Sequence, residues 1–177
     1  MRRGLAQRGN ATIEMTLIGI PLIFVLISIF EISRGMWIYH TLSYAARETS
    51  RYVSVHGQNC QTTPNTCGIT PAQFGQFLNT AATGLEPRYL DVTFISPADN
   101  FTCKLDVLMA GTCGAGADCN GLSAIPSCGG GAVGSPVTVT ITYPYNSAVS
   151  MFWPGAGKGF VFGGAILPST SQDRVQY

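Results

Sequence analysis

An uncharged apolar segment near the N-terminus constrains this chain more than any other feature. No charged residue occurs between Met15 and Phe30, and a helix of that length would rise about 24 Å at roughly 1.5 Å per residue. The hydrocarbon core of a bilayer is about 30 Å thick, and extending the segment to residues 13–32 nearly closes the difference. The segment also exceeds the apolar core of an ordinary secretory signal, which has roughly 7–15 residues. We therefore predict a membrane-spanning helix over residues 13–32.

The charges and cysteines on either side of this segment predict its orientation. Arg2, Arg3 and Arg8 precede it, and basic residues next to a span stay on the cytoplasmic side. All six cysteines follow it, as expected of a region that folds in an oxidising compartment. We therefore expect a single-pass protein with a cytoplasmic N-terminus. The net charge of +1, with no basic run after the leader, argues against nucleic acid as a partner.

The helical pattern continues beyond the span. Between Glu31 and His56 there is no proline and only one glycine. Residues that could face a core recur there at steps of three and four, which is the pattern of an amphipathic helix. These positions are Ile32, Met36, Tyr39, Leu42, Ala46, Thr49 and Val53. We predict one long helix over residues 10–56, whose second half packs on a globular part. Glu48 and Arg51 are spaced for a weak ion pair across one turn.

The remaining residues, 57–177, are predicted to form a small extracytoplasmic α+β domain. Thr70 followed by Pro71 is a typical helix start, and helical spacing then continues to about Leu85. Strands are expected where apolar and polar residues alternate or where a short apolar run occurs. The predicted strands are 89–95, 137–143 and 160–167, with a helix continued from Met151 as the alternative for the last. We expect these strands to form one antiparallel sheet against the C-terminal half of the long helix, whose N-terminal half protrudes.

A region rich in glycine and cysteine, residues 96–136, separates the first two of these strands. A connection of this length without regular structure is uncommon unless it is functional or held by disulfides. The disulfide candidates are Cys60, Cys67, Cys103, Cys113, Cys119 and Cys128. Cys60 and Cys67 close a short loop and are expected to pair; Cys113 with Cys119 could close another, which leaves Cys103 for Cys128. Six cysteines allow fifteen pairings, so the connectivity stays open.

The sequence contains no pattern that predicts a metal site, a cofactor or catalysis. The cysteine spacings do not match the C-x2–4-C spacing that zinc sites prefer. Both histidines, His40 and His56, fall on the predicted helix and are interpreted as a helix-face residue and a helix-end cation. G-x-S-x-G, H-E-x-x-H and phosphate-binding loops are absent from the sequence. We therefore predict a protein that is not an enzyme.

Two patterns in the N-terminal third resemble known families. The basic leader, residues 1–9, ends in Gly9, and Glu14 follows five residues later; this resembles the prepilin signal of type IV pilins and pseudopilins. Glu31-Ile32-Ser33-Arg34, then Tyr39, then the run from Ala45 to Tyr52 resemble the N-terminal pattern of TadE/TadG-like proteins. Those are pseudopilins or minor pilins of the tight-adherence (Flp) pilus and secretion systems of bacteria.

The resemblance implies a pilin-like subunit of the bacterial inner membrane. It implies that a prepilin peptidase cuts after Gly9, that Asn10 becomes the first residue, and that the domain is periplasmic or carried into an extracellular pilus. The implied partners are membrane lipid, the peptidase and other pilin and pseudopilin subunits. Glu14 of one subunit would neutralise the new amine of the next. The alternative is an uncut, membrane-anchored binding module whose cysteine-rich loops contact a surface or another component of the apparatus.

Overall fold

A computed structural model describes residues 6–61, 65, 67–113, 116–117, 123–128, 130–147 and 163–176. Cys119, the first five residues of the predicted leader and the segment 148–162 lie outside the described residues. The prediction for residues 160–167 therefore lies partly outside them, but 163–167 belong to a strand, so the alternative of a helix continued from Met151 is wrong for those residues.

The described elements make an α+β protein. The helices are α1 (Ala6–Ser54), α2 (Gln58–Gln61), α3 (Pro71–Ala81) and α4 (Leu105–Met109), with a 3-10 turn at Pro87–Tyr89. The strands are β1 (Asp91–Ile95), β2 (Asn100–Lys104), β3 (Gly116–Ala117), β4 (Ser123–Ala124), β5 (Pro136–Asn146) and β6 (Gly163–Arg174). The long helix predicted over residues 10–56 is α1, which begins and ends a little earlier.

Four strands form one antiparallel sheet in the order β2-β1-β5-β6. One face of the sheet is apolar, because Val137, Val139 and Ile141 alternate with threonines along β5 and are fully buried. The C-terminal half of α1 packs on this face. The expected antiparallel sheet against the long helix is therefore confirmed, with β2 as an additional strand.

Short helices complete the core beside α1. The start of α3 is fixed by a capping box: the Thr70 hydroxyl accepts the Gln73 N–H, and the Gln73 side chain accepts the Thr70 N–H. Such a cap satisfies two otherwise free donors at the helix start. Phe74 and Leu78 of α3 are then fully buried, and the Phe74 ring meets Phe94 of β1 edge to face.

The region 96–136 contains more regular structure than its composition predicts. β2 and α4 lie within it, and a disulfide joins Cys103 of β2 to Cys113 beyond α4. The pairings suggested by the sequence, Cys113–Cys119 and Cys103–Cys128, are therefore wrong. Cys60 pairs with Cys67, as the short loop indicates. Cys128 is also disulfide-bonded.

The polar side of the sheet carries a continuous row of threonines. Thr102, Thr93, Thr140 and Thr170 are direct cross-strand neighbours on β2, β1, β5 and β6. Hydroxyl pairs at 2.9 Å join Thr93 to Thr102 and Thr140 to Thr170. Cross-strand threonine pairs stabilise sheet register, so this row fixes how the four strands align beneath α1.

The buried face of α1 differs from the predicted stripe in its lower part. Leu42, Ala46, Thr49 and Val53 are fully buried as predicted, whereas Ile32, Met36 and Tyr39 are at least half exposed. The line of contact instead runs through Glu31, Gly35 and Ile38. Below Ile38 the described contacts of the helix are with Tyr145 and Asn146 at the end of β5 and, through the Trp37 ring, with Gly84.

Candidate membrane and assembly helix

The N-terminal half of α1 exposes a continuous apolar surface. None of its most apolar 18-residue window is buried in the protein, and Leu17 and Phe30 are each 74% exposed. Burial of one such side chain stabilises by about 1.5–3 kcal/mol, and this part of the helix gains none of that from its own domain. The surface therefore requires an apolar environment, either lipid or other helices.

The Thr16 and Ser28 hydroxyls in this half are satisfied within the helix itself. The Thr16 hydroxyl donates to the Thr12 carbonyl at 2.7 Å, and the Ser28 hydroxyl donates to the Phe24 carbonyl at 2.8 Å. In hydrocarbon there is no water to satisfy such groups, so internal partners are needed. Pro21 lies inside the helix without ending it, which membrane helices tolerate. The segment is therefore compatible with lipid along its length.

Glu14 is the one charged residue between positions 11 and 30. Its side chain is exposed, and none of the described residues donates a hydrogen bond to it. A carboxylate deep in a bilayer is disfavoured by about 2.5–3.5 kcal/mol. If this segment lies in a bilayer, Glu14 requires either a shallow place at the membrane interface or a cation from another molecule.

A contact between Glu31 and Tyr145 fixes the helix to the domain where the apolar half ends. The Tyr145 hydroxyl donates to both the carboxylate and the backbone carbonyl of Glu31, each at 2.8 Å. The Arg34 guanidinium lies 5.6 Å from the Tyr145 ring centre, and its Nη1 donates to the Asn146 carbonyl at 3.4 Å. Burial raises the pKa of Tyr145, and the hydrogen bond to Glu31 raises it further. We call Glu31, Arg34, Tyr145 and Asn146 the junction.

Hydroxyl contacts hold β6 against the middle of α1. Ser50 and Ser171 share a hydrogen bond of 2.9 Å, and the Ser169 hydroxyl donates to Ser43 at 3.4 Å. At the top of α1 the Gln176 N–H donates to the Ser54 carbonyl at 2.8 Å. The junction and these contacts together fix the direction in which the apolar half leaves the domain.

The sequence-predicted site residues fall at opposite ends of the molecule. Gly9, Asn10 and Glu14 lie together near the start of α1, and Cys60, Cys67, Cys103, Cys113 and Cys128 lie in the domain that packs on its C-terminal half. Forty residues of helix separate Glu14 from Ser54, about 60 Å by helical rise. The structure therefore does not bring the two sets together. Sequence reasoning missed Tyr145, because its partner Glu31 is 114 positions away.

The described residues form one α+β domain carried on one protruding apolar helix. A family model described as TadE-like protein matches residues 9–51, about a quarter of the chain. The matched segment is therefore TadE-like. It contains the Gly9-to-Glu14 spacing, the exposed apolar half of α1 and the junction residues Glu31 and Arg34. No curated protein matches the chain, and no solved structure matches it.

Proposed function

We propose that this protein is a minor pilin or pseudopilin of a tight-adherence pilus or a related secretion apparatus, with a structural rather than enzymatic role. The observation that supports this most directly is that the TadE-like segment coincides with a helix whose apolar half has no cover of its own. In this role the helix is held first by inner-membrane lipid and then by the helices of other subunits. The domain lies on the periplasmic side or on the assembled pilus.

The arrangement near Gly9 provides a mechanism for the transfer from lipid to filament. A prepilin peptidase cuts the peptide bond after Gly9, and the leader carrying Arg2, Arg3 and Arg8 is released. The new N-terminus is the cationic amine of Asn10. In the assembly this amine meets Glu14 of a neighbouring subunit. Two opposite charges in contact in an apolar medium are far better tolerated than either alone, so subunits that pack in register are favoured.

N-terminal sequencing of the protein purified from its membrane tests the processing step. We expect Asn10 as the first residue, and Met1 in a Gly9→Val variant. Retention of Met1 in the unmodified protein would instead support the uncut anchor.

The variant Glu14→Gln tests the assembly step separately. It removes the charge while keeping the shape and a polar group, so membrane insertion should be unchanged. We expect much less of the variant in sheared pilus fractions, because the Asn10 amine loses its counter-ion. Incorporation at the level of the unmodified protein would contradict this mechanism.

The second candidate function is a membrane-anchored binding module. It is favoured by the cross-linked surface region of the domain, where Cys60–Cys67 and Cys103–Cys113 brace two loops. Such a region could contact a surface target or another component of the apparatus. Co-purification with the major pilin after filament shearing supports the subunit, whereas recovery only in the membrane fraction supports the module.

A further inference from the structure

The strands β5 and β6 lie nearly along the C-terminal half of α1. At one end of the sheet, Tyr145 of β5, the cross-strand neighbour of Ala165, meets Glu31. At the other end, the N–H of Gln176, just beyond β6, donates to the Ser54 carbonyl. The helix rises about 35 Å from Glu31 to Ser54, and the strand rises about 36 Å from Ala165 to Gln176 at roughly 3.3 Å per residue. The two lengths agree, so one end of the sheet lies beside Glu31 and the other beside the end of α1.

The end of the sheet beside Glu31 is level with the end of the predicted span. That span covers residues 13–32, so Glu31 is its last residue but one. In a bilayer the junction then lies at the boundary between hydrocarbon and headgroups, about 15 Å from the midplane of a roughly 30 Å core. The opposite end of the sheet lies about 35 Å higher, in water. The domain therefore meets the membrane at its Tyr145 end.

The exposed side chains at this end suit a membrane interface. Ile166, the cross-strand neighbour of Pro144, is 67% exposed, and Ala165 and Asn146 are exposed beside it. The exposed Arg34 donates to the Asn146 carbonyl at 3.4 Å. We call Arg34, Asn146, Ala165 and Ile166 the lower rim. A single exposed isoleucine is common on protein surfaces, but this one lies beside the point where the helix would leave the bilayer.

The helix carries two aromatic residues just above the same level. Trp37 and Tyr39 are 51% and 50% exposed, although the Trp37 ring also packs against Gly84. They are five and seven residues beyond Ile32, which is about 7.5 and 10.5 Å by helical rise. One headgroup layer is roughly 5–8 Å thick, given about 40–45 Å for the whole bilayer and about 30 Å for its core. Tryptophan and tyrosine are enriched at this depth, so the helix independently indicates where the interface lies.

The chain that joins β5 to β6 begins and ends at the lower rim. Asn146 and Gly163 are cross-strand neighbours there. The sequence of residues 148–162, which lie outside the described residues, contains four aromatic residues and one charged residue, Lys158. Affinity for a membrane interface grows with the apolar area that is buried there. A connection of this composition, attached at this level, therefore favours lipid over water beside the rim.

From these observations, and resting on the lipid-held state in the function proposed above, we propose that the lower rim is a second membrane contact of this protein. The rim lies on the leaflet in which the apolar half of α1 ends. Ile166 and Ala165 reach the boundary of the hydrocarbon, and the Arg34 guanidinium meets lipid phosphate, as long cations at an interface do. Because the junction joins the rim to α1, this contact fixes the tilt of the domain over the bilayer.

Tryptophan quenching in the full-length protein tests this proposal. The chain has two tryptophans, Trp37 and Trp153, and replacing both with phenylalanine lets one introduced tryptophan report one position. Ile166→Trp is the first rim probe. Asn146→Trp is the second, in case the larger side chain at Ile166 disturbs the end of the sheet. Each variant is placed alone in nanodiscs of phosphatidylcholine with brominated acyl chains, and its emission is compared with that in the same lipid without bromine.

Two further variants in the same background serve as controls. Val133→Trp is the matched control, because Val133 is 60% exposed and precedes Gly134, whose N–H donates to the Val175 carbonyl at the far end of the sheet. Leu26→Trp places the probe within the predicted span and reports whether the helix itself is in the bilayer.

We expect brominated lipid to remove about half or more of the emission from both rim probes, as for a tryptophan at the interface. The emission of Val133→Trp should be unchanged. No loss at either rim probe overturns the proposal and leaves the rim to water or to a protein partner. An equal loss at Val133→Trp also overturns it, because the contact would then not be specific to the lower rim.

The Leu26→Trp probe separates failure of this proposal from failure of the proposed function. If Leu26→Trp is quenched and the rim probes are not, the membrane helix stands and only the rim contact fails. If Leu26→Trp keeps its emission, the lipid-held state of the helix fails, and the proposal that rests on it fails too. Neither result depends on the peptidase or on a filament.

Discussion

At the scale of single residues, the junction shows how one side chain fixes a long helix to its domain. Tyr145 is at the end of β5, and its single hydroxyl hydrogen is shared between the carboxylate and the backbone carbonyl of Glu31. The ring also supports the Arg34 guanidinium at 5.6 Å. Because hydrogen bonds to charged groups contribute about 1.5–3 kcal/mol, this contact resists rotation of the apolar half relative to the sheet.

Tyr145→Phe should lower the free energy of unfolding of the domain by about 1–2 kcal/mol, since it keeps the ring and removes only the hydroxyl bonds. Thermal unfolding of the detergent-solubilised protein, followed by near-UV circular dichroism, measures this. Tyr89→Phe is the matched control, because Tyr89 is 57% exposed and its hydroxyl has no described partner. An equal effect of the two substitutions would contradict the role given to the junction.

The pH dependence of stability offers an independent check on Tyr145. Its pKa is raised in the folded protein by burial and by Glu31, so the folded state keeps a proton that the unfolded chain releases near pH 10. The stabilising contribution is therefore present below about pH 10 and is lost as the pH rises through the folded pKa. The alkaline loss of stability should be smaller in Tyr145→Phe than in the unmodified protein.

At the scale of elements, a close contact between α3 and α4 determines how the two short helices pack in the domain. A Cβ atom on Gly75 of α3 would lie 2.9 Å from the Met109 nitrogen and 3.1 Å from the Leu108 carbonyl carbon of α4. Glycine at this position lets α3 and α4 cross at backbone contact. α4 in turn carries Leu105 and Leu108, both fully buried, into the core.

Gly75→Ala should destabilise the domain by about 1–3 kcal/mol, because overpacking against backbone cannot be relieved by a rotamer change. The helix propensity gain of alanine over glycine, about 1 kcal/mol, offsets part of this. Urea unfolding of the solubilised protein measures the difference, with Gln76→Ala at an exposed neighbouring position as control. A variant as stable as the unmodified protein would show that α3 and α4 can move apart.

At the scale of the whole molecule, the apolar half of α1 is the part of the protein that its own described domain leaves uncovered. The domain has its own hydrophobic core, and the protruding apolar segment contributes no residue to it. The apolar surface of the segment must therefore be covered by lipid or by another molecule. This division explains why the charge-free length of the segment, rather than any pocket in the domain, dominates the proposed function.

Leu26→Arg should release much of the protein from the membrane fraction, because a charge near the centre of the span is disfavoured by about 2.5–3.5 kcal/mol. Carbonate extraction followed by immunoblotting of pellet and supernatant measures this. Ile32→Arg is the matched control at the boundary of the span, where a long cation can reach water, and it should stay in the pellet. Similar release of both variants would contradict the predicted span of residues 13–32.

Much of the fold could be predicted from the sequence, because patterns of neighbouring residues determine where its helices and strands form. The period of two in Val137, Val139 and Ile141 predicts β5, and Thr70 with Pro71 predicts the start of α3. β2 was not predicted, because a short strand with only Cys103 buried has no alternation to distinguish it from a loop. The lower contact line of α1 was missed for the opposite reason: Ile32, Met36 and Tyr39 have the right period but face away from the domain.

The sequence by itself determined that one charge-free apolar segment leads through a long helix into an α+β domain, since length, charge and apolar period are properties of neighbouring residues. Only the tertiary structure decided which face of that helix is covered, that Tyr145 meets Glu31 and that Cys103 pairs with Cys113. Those facts depend on contacts between residues far apart in the chain, and such contacts are set by how the sheet and the helix pack together.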